Sequence, residues 1–186
     1  MGNTHGTAGG SLTNAGWASS AAAAMQGQLG ERATASLLRR QPKSRVVMHD
    51  LRMPIPGMNL NIDHVVIAGR TVALVDSKRW LPGFYLTLSG RTFRGLHRTS
   101  HVDKQTMVMA RESIAAYLLR RGIKAQLPAV VGVWPSNNSK KLRLWAASVP
   151  GADLIRADRL PGWLDRVLPD DPADPALVAA LTALVR

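Results

Sequence analysis

Two aspartates and one lysine stand at the ends of two neighbouring apolar segments. Residues 60–67 contain Asp63, and residues 71–78 contain Asp76 and Lys78. Side chains alternate along a strand, so Asp76 and Lys78 would share one face while Ser77 points away. Carboxylates bind divalent cations, and a neighbouring lysine can orient or help to deprotonate a water molecule. These residue types suit metal-assisted hydrolysis of a phosphate ester.

The turn between the two segments sets their expected register. If Gly69 and Arg70 form a two-residue loop, Asp63 lies opposite Asp76, with Cβ atoms about 4.5–5.5 Å apart. Two facing carboxylates repel each other unless one is protonated or a cation lies between them. Oxygen ligands favour Mg²⁺ or Mn²⁺. A register shift of one residue would remove this alignment.

A simpler interpretation stays open at this point. Asp-x-Lys is short and common, so Asp76 and Lys78 also suit an ordinary ion pair at a strand end, with Asp63 capping a loop. His64 would point to the face opposite Asp63, where packing or a hydrogen bond is expected rather than metal ligation. Trp134 and Trp145 are expected in the core.

The elements around these residues alternate between helical and extended patterns. They predict a mixed α/β domain around a central sheet, in which the tight turn makes one strand pair antiparallel and a long helix permits a parallel crossover. Asp171 and Pro172 are expected to begin the last helix. The predicted helices cover residues 20–39, 101–121, 159–168 and 172–185, and the strands cover 46–50, 60–67, 71–78, 84–88, 91–96, 127–134 and 142–147.

The net charge of the chain gives information about its binding partners but not about its fold. Lys and Arg number 24 and Asp and Glu number 12, which gives a net charge of +12. Such a surplus predicts a polyanionic partner. One basic cluster surrounds Phe93 and could follow a nucleic-acid backbone, although a solvated basic surface is the alternative. It consists of Arg91, Arg94, Arg98 and Lys104.

Several protein classes are excluded or disfavoured by composition. The chain has no cysteine, which excludes disulfides and thiolate metal sites and fits a cytoplasmic location. It has no apolar run of about 18 residues, so no membrane span is expected. Residues 1–20 are rich in Gly, Ser and Ala and are interpreted as a flexible tail, which leaves residues 21–186 as a single domain.

Several motifs follow one another along the chain: Gly30-Glu31 on the first helix, Ile62-Asp63-His64 with its apolar continuation, Asp76-Ser77-Lys78 followed by Trp80, and a hairpin from Gly83. In this order they resemble the nuclease-related domain (NERD) family of the PD-(D/E)XK nuclease superfamily. Segments 47–54 and 157–164 are similar to actinobacterial members. The resemblance covers roughly residues 27–186.

The resemblance implies a restriction-endonuclease-like αβββαβ core that carries an extra β-hairpin and C-terminal helices. Asp63 and Asp76 would bind Mg²⁺ or Mn²⁺, joined by the Ser77 backbone carbonyl, and Lys78 would assist the water. Glu31 would reach the site directly or through water. Gln105 lies where the family often has a glutamine that touches the phosphate backbone or metal-bound water. Asp76 stands where many members have Glu, which would bring the metal closer to the strand.

Two functions follow as hypotheses. The first is a metal-dependent endo- or exonuclease that hydrolyses phosphodiester bonds, with DNA as the expected substrate. The alternative is a non-catalytic module that keeps the nuclease fold for binding DNA or docking a protein. Self-association of the chain is left open. A protein bound to the surface of an anionic membrane is disfavoured, because the strongest helix candidate, residues 172–185, contains no basic residue.

Overall fold

A computed structural model describes residues 3–9, 21–137, 139 and 141–186. Most of the predicted tail, residues 1–2 and 10–20, therefore lies outside the described residues. Within that tail, however, Thr4–His5 forms a short strand, β1, that pairs in parallel with Val47 and Met48. The sequence shows no periodicity there, because a strand of two residues is too short to display one.

The central sheet of the described residues has six strands and mixed direction. Besides β1, its strands are β2 (Val46–Arg52), β3 (Asn61–Ala68), β4 (Thr71–Trp80), β8 (Ala129–Pro135) and β10 (Asp153–Arg156). Their order is β1-β2-β3-β4-β8-β10; the pairs β2–β3 and β3–β4 are antiparallel, and the pairs β1–β2, β4–β8 and β8–β10 are parallel. The predicted mixed α/β architecture with a central sheet is confirmed.

Among the described residues, a second sheet contains four strands, which are β5 (Gly83–Leu88), β6 (Arg91–Arg94), β7 (His97–Arg98) and β9 (Leu142–Ala146). Their order is β7-β6-β5-β9, and the sheet contains the predicted hairpin. Strand β9 corresponds to the predicted segment 142–147, which therefore joins the second sheet, whereas β10 takes the edge of the central one.

Two apolar layers cover the central sheet, which explains the nearly continuous apolar sequence of β3 and β4. The described helices are α1 (Ala21–Leu38), α2 (Thr106–Leu119), α3 (Leu160–Val167) and α4 (Pro175–Thr182). Leu74 and alternate residues on its face pack toward α2, while Val75 and its counterparts pack toward α1 and α3.

Helix α2 begins later than predicted. Residues Ser100–Val102 form a 3-10 turn instead of the first helical turn. The cause is Asp103, whose carboxylate accepts a hydrogen bond of 2.9 Å from the backbone N–H of Thr92 and bonds Arg98 at 3.0 Å. These contacts hold the preceding segment against the second sheet.

The start of the last helix was predicted at the wrong Asp-Pro pair. Asp174 caps α4, and its Oδ1 accepts hydrogen bonds from the backbone N–H groups of Ala176 and Leu177. Asp171 and Pro172 instead use their carbonyl groups to accept hydrogen bonds from the backbone N–H of Gly69. The chain contains the same pair twice, and this tertiary contact decides which one begins the helix.

None of the described helices is both long enough and apolar enough to cross a membrane.

Candidate active site

The expected register of the β3–β4 hairpin is confirmed. His64 pairs with Val75, Val66 with Ala73 and Ala68 with Thr71. The same register, continued by one residue, places Asp63 opposite Asp76. At this point Oδ2 of Asp63 accepts a hydrogen bond of 2.7 Å from the backbone N–H of Ser77. The carboxylate of one strand is thus fixed to the backbone of the other.

Residues 76–78 point alternately to the two faces of β4, as the pattern predicts. The Nζ atom of Lys78 lies 2.7 Å from Oδ1 of Asp76, which places both side chains together. The Ser77 hydroxyl donates a hydrogen bond of 2.9 Å to Oγ1 of Thr34 on α1. Ser77 therefore ties β4 to the helix that carries Glu31.

Glu31 is buried beside this group, with 5% of its surface exposed. Its neighbour Gly30 lets α1 lie close to β4, because a Cβ atom at position 30 would lie 3.1 Å from Cγ of Arg79. Oε2 of Glu31 is buried without a hydrogen-bond partner among the described residues. An unpaired buried carboxylate oxygen is costly, so it marks a place where a further ligand would be stabilising.

The negative charge of the clustered carboxylates is not fully neutralised by positive groups around them. Burial raises the pKa of Glu31 from its usual 4.5 to about 7, and the backbone of Gly9 and the charge of Lys78 oppose this shift. Burial and then the charge of Asp76 raise the pKa of Asp63 well above its usual value. Both shifts have the sign expected for buried acids that lack sufficient positive charge.

Lys78 is held in its protonated form. Burial favours the neutral amine, but Asp76 and Asp63 outweigh it and raise the pKa of Lys78 above its usual value. The side chain keeps 47% of its surface exposed, so water limits the effect of burial. An ammonium group at this position donates hydrogen bonds and supplies positive charge.

A cavity of about 50 Å³ opens beside Asp76 and Lys78, on the α2 side of the sheet. It has room for a few water molecules. Trp80 forms part of its wall and packs on His101, with ring centroids 5.9 Å apart, and on Tyr85, at 5.2 Å. The cavity is lined by Asp76, Lys78, Trp80, His101, Val102, Lys104, Thr106, Met107, Val131, Val149 and Pro150.

The four predicted nucleic-acid-binding residues occupy different environments. Lys104 lines the cavity together with Asp76 and Lys78. Arg98 is paired with Asp103, and Arg94 donates a hydrogen bond to the carbonyl of Pro82 at 3.4 Å. Arg91 is exposed on β6.

Gln105 is not brought into the cavity. It is exposed directly before α2, and its carbonyl accepts the backbone hydrogen bond of Met109 at 3.1 Å. Its neighbours Lys104 and Thr106 line the cavity instead. An interaction of Gln105 with phosphate or metal-bound water remains a prediction.

A further carboxylate near the site was missed from sequence. Asp50 lies between the pairs His49–His64 and Leu51–Ile62, so the register of β2 and β3 places it opposite Asp63. Asp50 adopts φ +54°, its Oδ1 accepts a hydrogen bond of 2.7 Å from Asn61, and its charge raises the pKa of Glu31.

Two buried histidines, His49 on β2 and His64 on β3, contact each other next to the carboxylates. Nδ1 of His49 and Nδ1 of His64 are 2.8 Å apart, so one ring donates a hydrogen bond and the other accepts it. Burial lowers the pKa of both, to about 4 for His49, and each ring is therefore neutral near pH 7. The prediction that His64 packs away from Asp63 and makes a hydrogen bond is confirmed.

Neither Trp134 nor Trp145 belongs to the buried core, where both were predicted. Trp134 is half-buried and donates a hydrogen bond of 2.9 Å to Oγ1 of Thr34. Trp145 is not in the core, because 82% of its surface is exposed on the outer face of the second sheet. The sequence of β9 alone does not indicate which face of the second sheet the rest of the chain covers.

The donor chemistry fits a divalent cation, although the described residues contain no group of three or more His, Cys, Asp or Glu side chains arranged to hold one. Asp63 and Asp76 supply two carboxylates. Mg²⁺ is commonly held by one or two carboxylates together with water and substrate phosphate oxygens. The unpartnered Oε2 of Glu31 and the raised pKa of Asp63 are the signs of missing positive charge.

The fold and the site together define a mixed α/β protein with an acidic site and one lysine at adjacent strand ends. Residues 26–126 match the family model of the nuclease-related domain (NERD), and the chain belongs to this family. The match contains Glu31, Asp63, Asp76, Lys78 and Gln105 and ends before β8, so it is shorter than the resemblance seen in the sequence. No curated protein and no solved structure matches the chain.

Proposed function

We propose that this protein is a metal-dependent nuclease that hydrolyses phosphodiester bonds, with DNA as its substrate. Membership of the nuclease-related domain family supports a nuclease-like function. The order α1, β2, β3, β4, α2, β8 supports the finer assignment to a restriction-endonuclease-like core of the PD-(D/E)XK type. The second sheet and the C-terminal helices are additions to that core.

The observation that carries the proposal is the meeting of Asp63 with Asp76 and Lys78, and the last two of these residues line one cavity. The hydrogen bond from Ser77 holds Asp63, and the ion pair with Lys78 holds Asp76. The alternative interpretation, an ordinary ion pair at the surface, would require only Asp76 and Lys78 and does not explain the presence of Asp63. The second buried carboxylate and the raised pKa of Asp63 favour a site that accepts positive charge.

Asp63, Asp76 and the Ser77 carbonyl would hold Mg²⁺ or Mn²⁺. Such an ion supplies Lewis acidity, because it polarises the phosphate and stabilises negative charge that develops during hydrolysis. Glu31 is placed to join this set directly or through water, since its Oε2 is buried and unpartnered.

The protein's own groups suit the hydrolysis step as well. A water oxygen forms a bond to phosphorus while the bond from phosphorus to the leaving oxygen breaks, and the leaving oxygen takes up a proton from solvent. Because Lys78 stays protonated, it would orient the water and stabilise charge on the phosphate rather than act as a base. Burial raises the pKa of Glu31 in the metal-free protein, and where Glu31 is not itself bound to the ion it would accept the proton that the water loses.

The basic surface supports nucleic acid as the partner. Lys104 lines the cavity and can contact a phosphate next to the one that is cleaved. Arg91 is exposed on the adjoining sheet. A net charge of +12 would add long-range attraction that weakens as salt concentration rises.

The proposal is tested by incubating the purified protein with plasmid, linear duplex DNA, single-stranded DNA and RNA. Each substrate is tested with Mn²⁺, with Mg²⁺ and with EDTA. Cleavage of at least one DNA substrate that requires the metal is the expected result. Absence of metal-dependent cleavage on every substrate would contradict it.

A non-catalytic binding module is the second candidate function. The observation in its favour is that no group of three metal-type side chains is arranged among the described residues. Calorimetry separates the two candidates: a nuclease should bind Mn²⁺ with heat that disappears in the Asp63→Asn variant. A binding module should instead bind DNA in a salt-dependent way and show no such heat.

A further inference from the structure

The outer face of the second sheet carries aromatic side chains that the proposed active site does not use. Leu86 pairs with Phe93, and Phe84 pairs with Arg143, so these residues share one face. Trp145 lies on the same face, with its ring centroid 5.2 Å from that of Phe84. We call this surface, formed by Phe84, Leu86, Arg91, Phe93, Arg143 and Trp145, the aromatic face.

Trp145 is the most unusual member of the aromatic face. Its surface is 82% exposed, although tryptophan is among the residues that gain most from burial. Leu88, on the same side of β5, is exposed as well. An exposed aromatic group on a sheet, next to a second ring, indicates a surface that another molecule covers.

The charge on this face is of one sign. No Asp or Glu occurs between Asp76 and Asp103, or between Glu112 and Asp153, and these two stretches contain all four strands of the second sheet. Arg91 and Arg143 are exposed at either side of the aromatic rings and have no ion-pair partner among the described residues. At the edge, Arg98 is paired with Asp103.

We infer that the aromatic face binds single-stranded nucleic acid, with bases stacked on Trp145 and on the phenylalanines and with phosphates held by Arg91 and Arg143. Stacking suits every base, because each has an apolar ring face, and it requires bases that are not paired. The arginines supply charge complementary to the backbone. An apolar protein partner would not need a face without any acidic residue.

The aromatic face and the active site lie on different sides of the second sheet. Tyr85 points from β5 to the inner side, where it packs on Trp80 in the wall of the cavity. The inference shares nucleic acid as ligand with the proposed function, but it does not require cleavage. Binding can therefore be measured in EDTA, where the proposed metal chemistry is switched off.

The test is the fluorescence anisotropy of a labelled oligothymidine strand titrated with the full chain in EDTA at low salt. The Trp145→Ala variant should bind about 5- to 100-fold more weakly, since one stacked base is lost. Trp145→Phe should restore most of the affinity because it keeps a ring. Arg143→Ala should also weaken binding, whereas Arg120→Ala, which removes an equal charge from the end of α2, should change it less.

Two results would overturn the inference. One is equal affinity of the wild type and Trp145→Ala for the single strand. The other is self-association of the wild type that is lost in Trp145→Ala while oligonucleotide binding is unchanged, which would make the face a contact between copies of the chain. If cleavage fails but Trp145→Ala weakens binding, the aromatic face stands and the proposed function does not.

Discussion

Oδ2 of Asp63 accepts a hydrogen bond of 2.7 Å from the backbone N–H of Ser77. This bond links β3 to β4 at the point where the main ladder ends, and it places the carboxylate next to the residues on either side of Ser77. Asp76 and Lys78 are those residues, and they pair with each other at 2.7 Å. The site is therefore an extension of the hairpin, built from strand register rather than from a loop.

Replacing Asp63 by Asn should stabilise the metal-free protein. The amide keeps an oxygen for the Ser77 N–H but removes a buried negative charge beside Asp76. The pKa of Asp63 is raised in the folded state, so its destabilising effect sets in above its usual pKa of 3.8 and grows as the pH rises. In EDTA near pH 8 we expect a gain of about 1 kcal/mol, or roughly 2–4 °C in Tm.

The same variant should lose the rise in Tm that Mn²⁺ gives the wild type. The matched control is Asp165→Asn, which removes an exposed carboxylate paired with Arg45 at 2.8 Å. That change should not raise the stability and should leave the Mn²⁺ effect intact. A less stable Asp63→Asn protein in EDTA would contradict the account of excess negative charge.

Replacing Lys78 by Met should have the opposite effect on the metal-free protein. The lysine is the cation that Glu31, Asp63 and Asp76 share, so its loss leaves their repulsion unopposed. We expect a loss of about 1–3 kcal/mol in EDTA. In the Asp63→Asn background the same change should cost less, because groups in one network are not additive. Chemical unfolding of the four proteins measures this coupling, and additive effects would show that Lys78 and Asp63 do not interact.

The buried histidine pair should destabilise the fold on acidification, opposite in sign to Glu31 and Asp63, whose raised pKa values make protonation favour the folded state. The pKa of His49 is about 4 in the folded protein and near 6.5 when unfolded, so the unfolded chain binds more protons on this group between these values. The contribution of His49 to stability should therefore fall as the pH drops from about 6.5 to about 4, by on the order of 3 kcal/mol, and then level off.

A variant isolates this contribution from that of the acidic residues. Between pH 6.5 and 4 the free energy of unfolding of His49→Gln should rise relative to that of the wild type, whatever the stability of the variant at neutral pH. His97→Gln, on the exposed strand β7, is the control and should follow the wild type. Parallel pH profiles for wild type and His49→Gln would rule out the predicted role.

Thr34 should be important for stability although it belongs to no recognised motif. Its buried Oγ1 accepts hydrogen bonds from the Ser77 hydroxyl and from Nε1 of Trp134, both at 2.9 Å. Thr34→Val leaves both donors without a partner and should cost about 2–3 kcal/mol in thermal or chemical unfolding. Thr182→Val, at an exposed hydroxyl on α4, should stay within about 0.5 kcal/mol. Equal effects of the two changes would contradict this role.

The parts of the site that could be predicted from sequence are those set by local geometry. A loop of two residues, Gly69 and Arg70, joins β3 to β4, and such a loop fixes the register and thus the alignment of Asp63 with Asp76. The strand period then assigns faces to Asp76, Ser77 and Lys78 without any tertiary information.

The features that were missed depend on distant contacts. Asp50 lies opposite Asp63, but a long connection separates β2 from β3 and leaves their register undefined in the sequence. The partnership of Thr34 with Trp134 joins residues 100 positions apart. Likewise, the exposure of Trp145 depends on which face of a second sheet the rest of the chain covers, and that is a property of the assembled fold.

The most direct measurement is the rate of DNA cleavage in Mn²⁺ by the wild type, Asp76→Ala and Lys78→Ala, each also assayed in EDTA. We expect the wild type to cleave only with metal and both variants to lose at least about 100-fold in rate while remaining folded by circular dichroism. Cleavage that persists in EDTA, or that survives at the wild-type rate in either variant, would contradict the assignment of Asp63, Asp76 and Lys78 as the active site.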